Sequence, residues 1–183
     1  MSLIDLSRAD KIPGFMEISE LSWLAETAKV HSNICEIGSW KGRSTRAMAD
    51  NSQAEITIID PFIDGYLDGS ELRQTFENNL IEYLENRRIS IIQMISAEAA
   101  RILRNEDLLF DMIFIDGEHF YNYVVSDICD YLPLLTEGGL LCGHDYTPGA
   151  PEFGGVIKAV HELVPIGYEV HIPVGRIWEY RKI

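Results

Sequence analysis

Glu36-Ile-Gly-Ser-Trp-Lys-Gly42 is the stretch of this chain that decides its fold. It closes a short apolar run, Asn33-Ile34-Cys35-Glu36-Ile37, that reads as a buried strand. It opens onto Arg43 to Ala49, which reads as the first turns of a helix. Between them Gly38 and Gly42 let the backbone turn sharply and pass close to a ligand, which a side chain would block. A second apolar run, Ile56-Thr57-Ile58-Ile59, ends on Asp60-Pro61. In nucleotide-binding α/β folds an acidic residue about 20 positions beyond the glycine loop hydrogen-bonds ribose hydroxyls. Neither the G-x-G-x-x-G of dinucleotide folds nor the G-x-x-x-x-G-K-[ST] of P-loops occurs.

Outward from this unit, strands and helices alternate. Apolar runs recur at 34–37, 56–59, 89–94, 112–115, 140–142, 169–172 and 177–180, and helical patterns fill about 41–50, 70–87, 97–105, 119–132 and 154–163. Almost wholly apolar strands separated by helices imply a mostly parallel sheet covered on both faces, a Rossmann-like α/β fold. The last two runs flank Pro173-Val174-Gly175 and read as a hairpin, which makes the sheet mixed. Ahead of the core at 33–183 stand an arm at 1–17 and a helix at 18–30, whose Leu21, Leu24, Ala25 and Ala28 fall at helical spacing with a cap region around Ser19, Glu20 and Ser22. One domain is expected from 183 residues.

Composition narrows the partners. Fifteen basic against 29 acidic side chains give a formal charge of −14, which argues against nucleic acid. No stretch approaches the ~20 apolar residues that span a bilayer, and the N-terminus lacks signal-peptide form, so a cytoplasmic protein without a membrane partner is expected. Cys35, Cys129 and Cys142 are widely spaced in apolar sequence and read as buried free thiols of a reducing compartment. The loops at 61–69, with Asp64, Gly65 and Asp68, and at 144–153 follow strands and should wall a ligand pocket.

A second constellation runs Asp111-Met-Ile-Phe-Ile-Asp116-Gly-Glu118-His119, then a helix, then Pro133-Leu-Leu-Thr-Glu-Gly138-Gly139-Leu-Leu-Cys-Gly-His144-Asp145. With the Glu36 to Gly42 loop, this order of motifs resembles the class I S-adenosylmethionine-dependent methyltransferases. Within them it is similar to the small-molecule O-methyltransferases that include the macrocin, aminocoumarin and cephalosporin enzymes (methyltransferase family 24). The resemblance spans about residues 30–182 and implies the seven-stranded fold with its single antiparallel strand. It implies that Glu36, Gly38 and Gly42, with Ser39 and Ser44, hold the methionine moiety. By the same resemblance Asp60 and Pro61 take the ribose, Ser96 and Ala97 the adenine, and Asp116 stands beside the cofactor. Trp40, inside the loop, is expected to cover the methionine end.

Asp116 and Asp145 end neighbouring strands, and two carboxylates at one edge suit a divalent cation, Mg²⁺ or Mn²⁺. Such an ion would ease the loss of a proton from an acceptor hydroxyl. Glu118 stands where relatives carry the general base, and His119 and His144 are the other candidates. Metal-dependent relatives often carry an acid at 144; a histidine there is a softer ligand, better suited to Mn²⁺, Fe²⁺ or Zn²⁺. Tyr121 and Tyr146 are expected to meet the acceptor, a small molecule. An N-terminal region shorter than in the natural-product enzymes speaks against a sugar acceptor and for a homodimer whose partner completes the pocket. The rival readings are a non-catalytic cofactor-binding sensor, which needs no acceptor-side carboxylates, and a nicotinamide oxidoreductase, which the missing G-x-G-x-x-G disfavours.

Overall fold

The apolar runs assemble into one sheet in the computed structural model, which describes residues 3–63 and 69–182. Strands β1 (Asn33–Ile37), β2 (Glu55–Ile59), β3 (Ile89–Ile92), β4 (Phe110–Ile115), β5 (Leu135–Gly143), β6 (Tyr168–Val174) and β7 (Ile177–Lys182) lie in the order β3-β2-β1-β4-β5-β7-β6. The first five are parallel, and β7 runs antiparallel to both β5 and β6. This is the seven-stranded arrangement with one reversed strand that the motif order implies.

Helices α1 (Ile18–Ala28), α2 (Arg43–Asn51) and α3 (Gly69–Glu85) cover one face; α4 (Ser96–Asn105), α5 (Tyr121–Tyr131) and α6 (Gly154–Glu162) cover the other. Side chains alternate across each strand. Ile34, Ile56, Ile58, Met112 and Phe114 therefore pack with Leu21, Leu24 and Met48, while Cys35, Ile37, Ile59, Ile113 and Ile115 pack with Leu103, Val124 and Ile128.

Several boundaries differ from the sequence pattern. β5 begins at Leu135 rather than 140, because Leu135 pairs with Phe110 across a register shift. The cap of α1 is Glu17, not Ser19 or Ser22: the side chains of Glu17 and Glu20 each accept the other's backbone N–H. Cys129 is exposed, since it falls on the outer side of α5, whereas Cys35 and Cys142 are buried. No helix among the described residues is long and apolar enough to cross a membrane. The expected wall residues Asp64, Gly65 and Asp68 lie outside the described residues.

The strand order reverses between β1 and β4, and this places the site. Past the strand ends the chains stay hydrogen-bonded: Gly38 N–H to the Ile59 carbonyl at 2.9 Å, Asp116 N–H to Ile37 at 2.8 Å, and His144 N–H to Ile115 at 3.0 Å. The arm folds against α2, where Arg43 donates through Nη1 to the carbonyls of Ala9, Asp10 and Ile12.

Candidate active site

The glycine loop is shaped by two left-handed glycines, Gly38 (φ 81°) and Gly42 (φ 85°). A Cβ on Gly38 would run into the Asp116 carbonyl and the Gly117 Cα, so the close passage of β1 past β4 requires glycine. Two bulky residues also sit at positive φ, Trp40 (47°) and Phe62 (56°), where such side chains are rarely found. The buried carboxylate of Asp60 holds both turns. Oδ2 accepts the N–H groups of Ser39 and Trp40 at 2.8 Å, and Oδ1 accepts that of Phe62 at 2.6 Å. The Ser39 hydroxyl stands a further 3.4 Å from Oδ2, so the acceptor position left open is on Oδ1.

Glu36 is fully buried and accepts hydrogen bonds from the Ser44 hydroxyl and, at 2.5 Å, from Thr45 Oγ1. Burial pushes its carboxyl up to about 8, against the pull of those two hydroxyls. It pins the first turn of α2 and does not line the cleft, whereas Gly38, Ser39 and Ser44 do. Ser96 and Ala97 open α4 beyond β3. Ser96 Oγ donates to Asp127 Oδ1 at 2.5 Å, and its carbonyl accepts the Tyr131 hydroxyl at 2.8 Å. Burial raises Asp127 to about 6 despite the bond from Ser96.

At the other end of the cleft His144 is almost wholly buried among three carboxylates. Its Nδ1 stands 3.1 Å from Asp145 Oδ1 and 3.4 Å from Asp116 Oδ1, and its Nε2 stands 3.1 Å from Glu20 Oε2. Burial opposes its charge, but the Asp116 carboxylate and hydrogen bonds to Asp116, Asp145 and Glu20 carry it up to about 11. Both ring nitrogens are engaged, so His144 offers no free base to the cleft. Asp116 is itself raised by burial, against the pull of His144. Asp145 is left-handed (φ 64°), a conformation Asp tolerates better than most residues.

Glu20 and Arg176 belong to this cluster, though the sequence reading did not place them there. Glu20 accepts the Arg176 backbone N–H at 2.8 Å, and Arg176 stands 3.8 Å from Asp145. Burial works against ionisation of Glu20, but hydrogen bonds from His144 and from the backbones of Glu17 and Arg176 hold it at about 2. Its partners lie 124 and 156 positions away, so no local pattern reveals it.

Asp116, His144 and Asp145 each offer one ligand atom, all within 4.8 Å of one another. A histidine whose second nitrogen faces a carboxylate is the usual setting of a metal-ligating imidazole, so this donor set fits a divalent ion.

Both ends meet in one cleft of about 470 Å³, lined by Gly38, Ser39, Ser44, Asp116, His144 and Asp145 and also by Glu118 and His119. His119 lies between Phe120 and Phe153, with ring centroids at 5.4 and 5.0 Å. Phe15 of the arm stacks on Trp40 at 5.5 Å on the same cleft. Tyr121 and Tyr146 bond instead to Glu162 and His161 of α6, away from the cleft.

Comparison with known proteins agrees with this geometry. A family model described as a methyltransferase domain, methyltransferase family 24, matches residues 35–146. No curated protein matches the chain. An O-methyltransferase from Bacillus cereus, solved with S-adenosylhomocysteine, is 18% identical with a TM-score of 0.71, over 95% of this chain and 86% of that one. A Podospora anserina methyltransferase, also solved with that ligand, is 19% identical with a TM-score of 0.68, over 97% and 85%. The TDP-rhamnose 3'-O-methyltransferase CalS11 of calicheamicin biosynthesis is 17% identical with a TM-score of 0.65, over 88% and 76%. These structures share the fold. The matched span runs from β1 to the end of β5 and holds the glycine loop, Asp60, the Asp116 to His119 segment and His144-Asp145, so the chain belongs to this family and is a class I S-adenosylmethionine-dependent methyltransferase.

Proposed function

We propose that the protein transfers the methyl group of S-adenosylmethionine to a hydroxyl of a small molecule, with a divalent cation held by Asp116, His144 and Asp145. The observation that carries this reading is the shared cleft. The glycine-loop residues Gly38, Ser39 and Ser44 and the acidic residues Asp116, Glu118 and Asp145 line one cavity, so a sulfonium and an acceptor hydroxyl can meet there.

In this reading the loop takes the methionine moiety, Asp60 a ribose hydroxyl through its remaining acceptor position, and Ser96 and Ala97 the adenine edge. Glu36 contributes by fixing α2, since its carboxyl is spent on Ser44 and Thr45. A bound cation would polarise the acceptor oxygen and lower the pKa of its hydroxyl. The acceptor oxygen attacks the methyl carbon, the carbon–sulfur bond breaks, and S-adenosylhomocysteine leaves as a neutral sulfide. Glu118 takes the hydroxyl proton: it lines the cleft, whereas the two ring nitrogens of His144 face Glu20 and the Asp116–Asp145 pair, and His119 is packed between two phenylalanines. Phe15, Trp40 and Phe153 give the acceptor end an aromatic wall.

The two buried free thiols suit a reducing compartment, and the cytoplasm is the proposed location. A homodimer is proposed as well, and light scattering of the purified protein tests it.

Calorimetric titration with S-adenosylhomocysteine, in chelator and then with Mn²⁺ or Mg²⁺, tests the reading. Micromolar binding, and transfer of a labelled methyl to members of a panel of hydroxylated small molecules, is the expected result. No binding under any condition would overturn it.

A further inference from the structure

Glu20 is the least expected member of the cluster. It comes from α1, outside the span that carries the family motifs, and its side chain is only 1% exposed. A carboxylate buried so deeply needs partners that outweigh its desolvation. Its partners fix it from three directions. The Glu17 N–H donates to Oε2 at 2.7 Å, the Arg176 N–H donates to Oε1 at 2.8 Å, and His144 Nε2 meets Oε2 at 3.1 Å. The Arg176 guanidinium adds longer contacts at 3.4 Å. The carboxylate has no room to rotate, so neither does the imidazole it holds.

The consequence lies on the other side of the ring. When Nε2 carries the hydrogen donated to Glu20, the Nδ1 lone pair points between Asp116 and Asp145. Atoms bound to one ion at about 2.1 Å sit roughly 3.0–3.4 Å apart in octahedral or tetrahedral geometry. Nδ1 already stands 3.1 Å from Asp145 Oδ1 and 3.4 Å from Asp116 Oδ1. Both distances fall in that range, and the ligand atoms of all three residues lie within 4.8 Å of one another. Mg²⁺ prefers oxygen donors, whereas imidazole nitrogen favours later divalent ions such as Mn²⁺, Co²⁺ and Zn²⁺.

We propose that Glu20 is a positioning residue that turns His144 so that Nδ1 joins Asp116 and Asp145 as third ligand to a divalent transition-metal ion taken in preference to Mg²⁺. This rests on the cation in the proposed function, and the experiment separates the two. Chelator-treated full-length protein is titrated with Co²⁺, read by its visible absorption, and with Mg²⁺ by calorimetry. S-adenosylhomocysteine affinity and thermal melting are measured on the same samples. The wild type is compared with Glu20→Gln, His144→Ala and the double variant.

Wild type is expected to bind Co²⁺ at least tenfold more tightly than Mg²⁺. Glu20→Gln should weaken Co²⁺ by ten- to a hundredfold while S-adenosylhomocysteine binds as before. In the His144→Ala background the Glu20 substitution should cost nothing further, the signature of a residue acting through another. Unchanged Co²⁺ affinity in Glu20→Gln, or a wild type that prefers Mg²⁺, overturns the proposal. A wild type that binds S-adenosylhomocysteine and no cation overturns it and leaves the methyltransferase reading standing; failure to bind S-adenosylhomocysteine strikes that reading instead. Should Glu20→Gln not fold, His144→Ala decides alone: an equal loss for Co²⁺ and Mg²⁺ overturns the nitrogen ligand.

Discussion

The carboxylate of Asp60 accepts the main-chain N–H of Trp40 at 2.8 Å and so holds a tryptophan in the left-handed region. Backbone strain of this kind costs on the order of 1–3 kcal/mol and persists only where neighbours over-determine it. Asp60→Ala is therefore expected to act twice. Melting should fall by an equivalent of about 1–3 kcal/mol as three N–H groups lose a charged acceptor. Affinity for S-adenosylhomocysteine should fall at least tenfold by calorimetry, and unchanged affinity would remove the ribose role.

Glu118 touches the cleft and is exposed, so its replacement should spare the fold. Glu118→Gln is expected to lower kcat by about 10²- to 10⁴-fold, the usual worth of a general base. S-adenosylhomocysteine binding should not change. A kcat within threefold of wild type would give the proton to another group.

Asp145→Ala removes a single carboxylate that both faces His144 and belongs to the proposed cation site. Turnover in the presence of a divalent ion should drop to the level seen in chelator. If the wild type is fully active in chelator, the cation has no part in the reaction.

Glu36 carries a pH signature of its own. Its folded pKa of about 8 lies above the ordinary value of 4.5, so between those two values the folded chain binds more protons than the unfolded one. Its contribution to stability is thus present in acid, is lost as pH rises from 4.5 through 8, and then levels off. Glu36→Gln stays neutral throughout. Denaturant titrations should show the variant gaining about 2–5 kcal/mol on wild type between pH 4.5 and 8.5. Parallel curves would show that Glu36 is ionised in the fold.

Phe15 is 78% exposed, so its stacking on Trp40 contributes little to the core. Phe15→Ala should leave melting within about a degree of wild type, because surface changes of this kind are worth under ~0.5 kcal/mol. It should raise KM for the acceptor by roughly two- to tenfold, the worth of one aromatic contact. An unchanged KM would remove the arm from the acceptor site.

The fold was legible because its evidence is local. Apolar strands alternating with helices, a glycine loop at a strand end and acidic residues at three further strand ends each show within a few residues. The same locality explains what was missed. Glu36 reads as a ligand residue from its place before Gly38, yet its alternate-face position on β1 turns it toward Ser44 and Thr45. Glu20 reads as part of a helix cap, and only tertiary packing brings it to His144. His144 reads as a candidate base until its neighbours are known, and three carboxylates reverse that expectation. Tyr121 and Tyr146 stand near the right motifs but point to α6.

The bond from the Arg176 backbone to Glu20 joins positions 156 apart, so the candidate site draws on α1 and on the turn between β6 and β7. During synthesis the glycine loop and the paired acids emerge before the turn that carries Arg176. The finished cleft therefore waits for that turn, and a product truncated before β7 would carry most of the family motifs without the completed pocket.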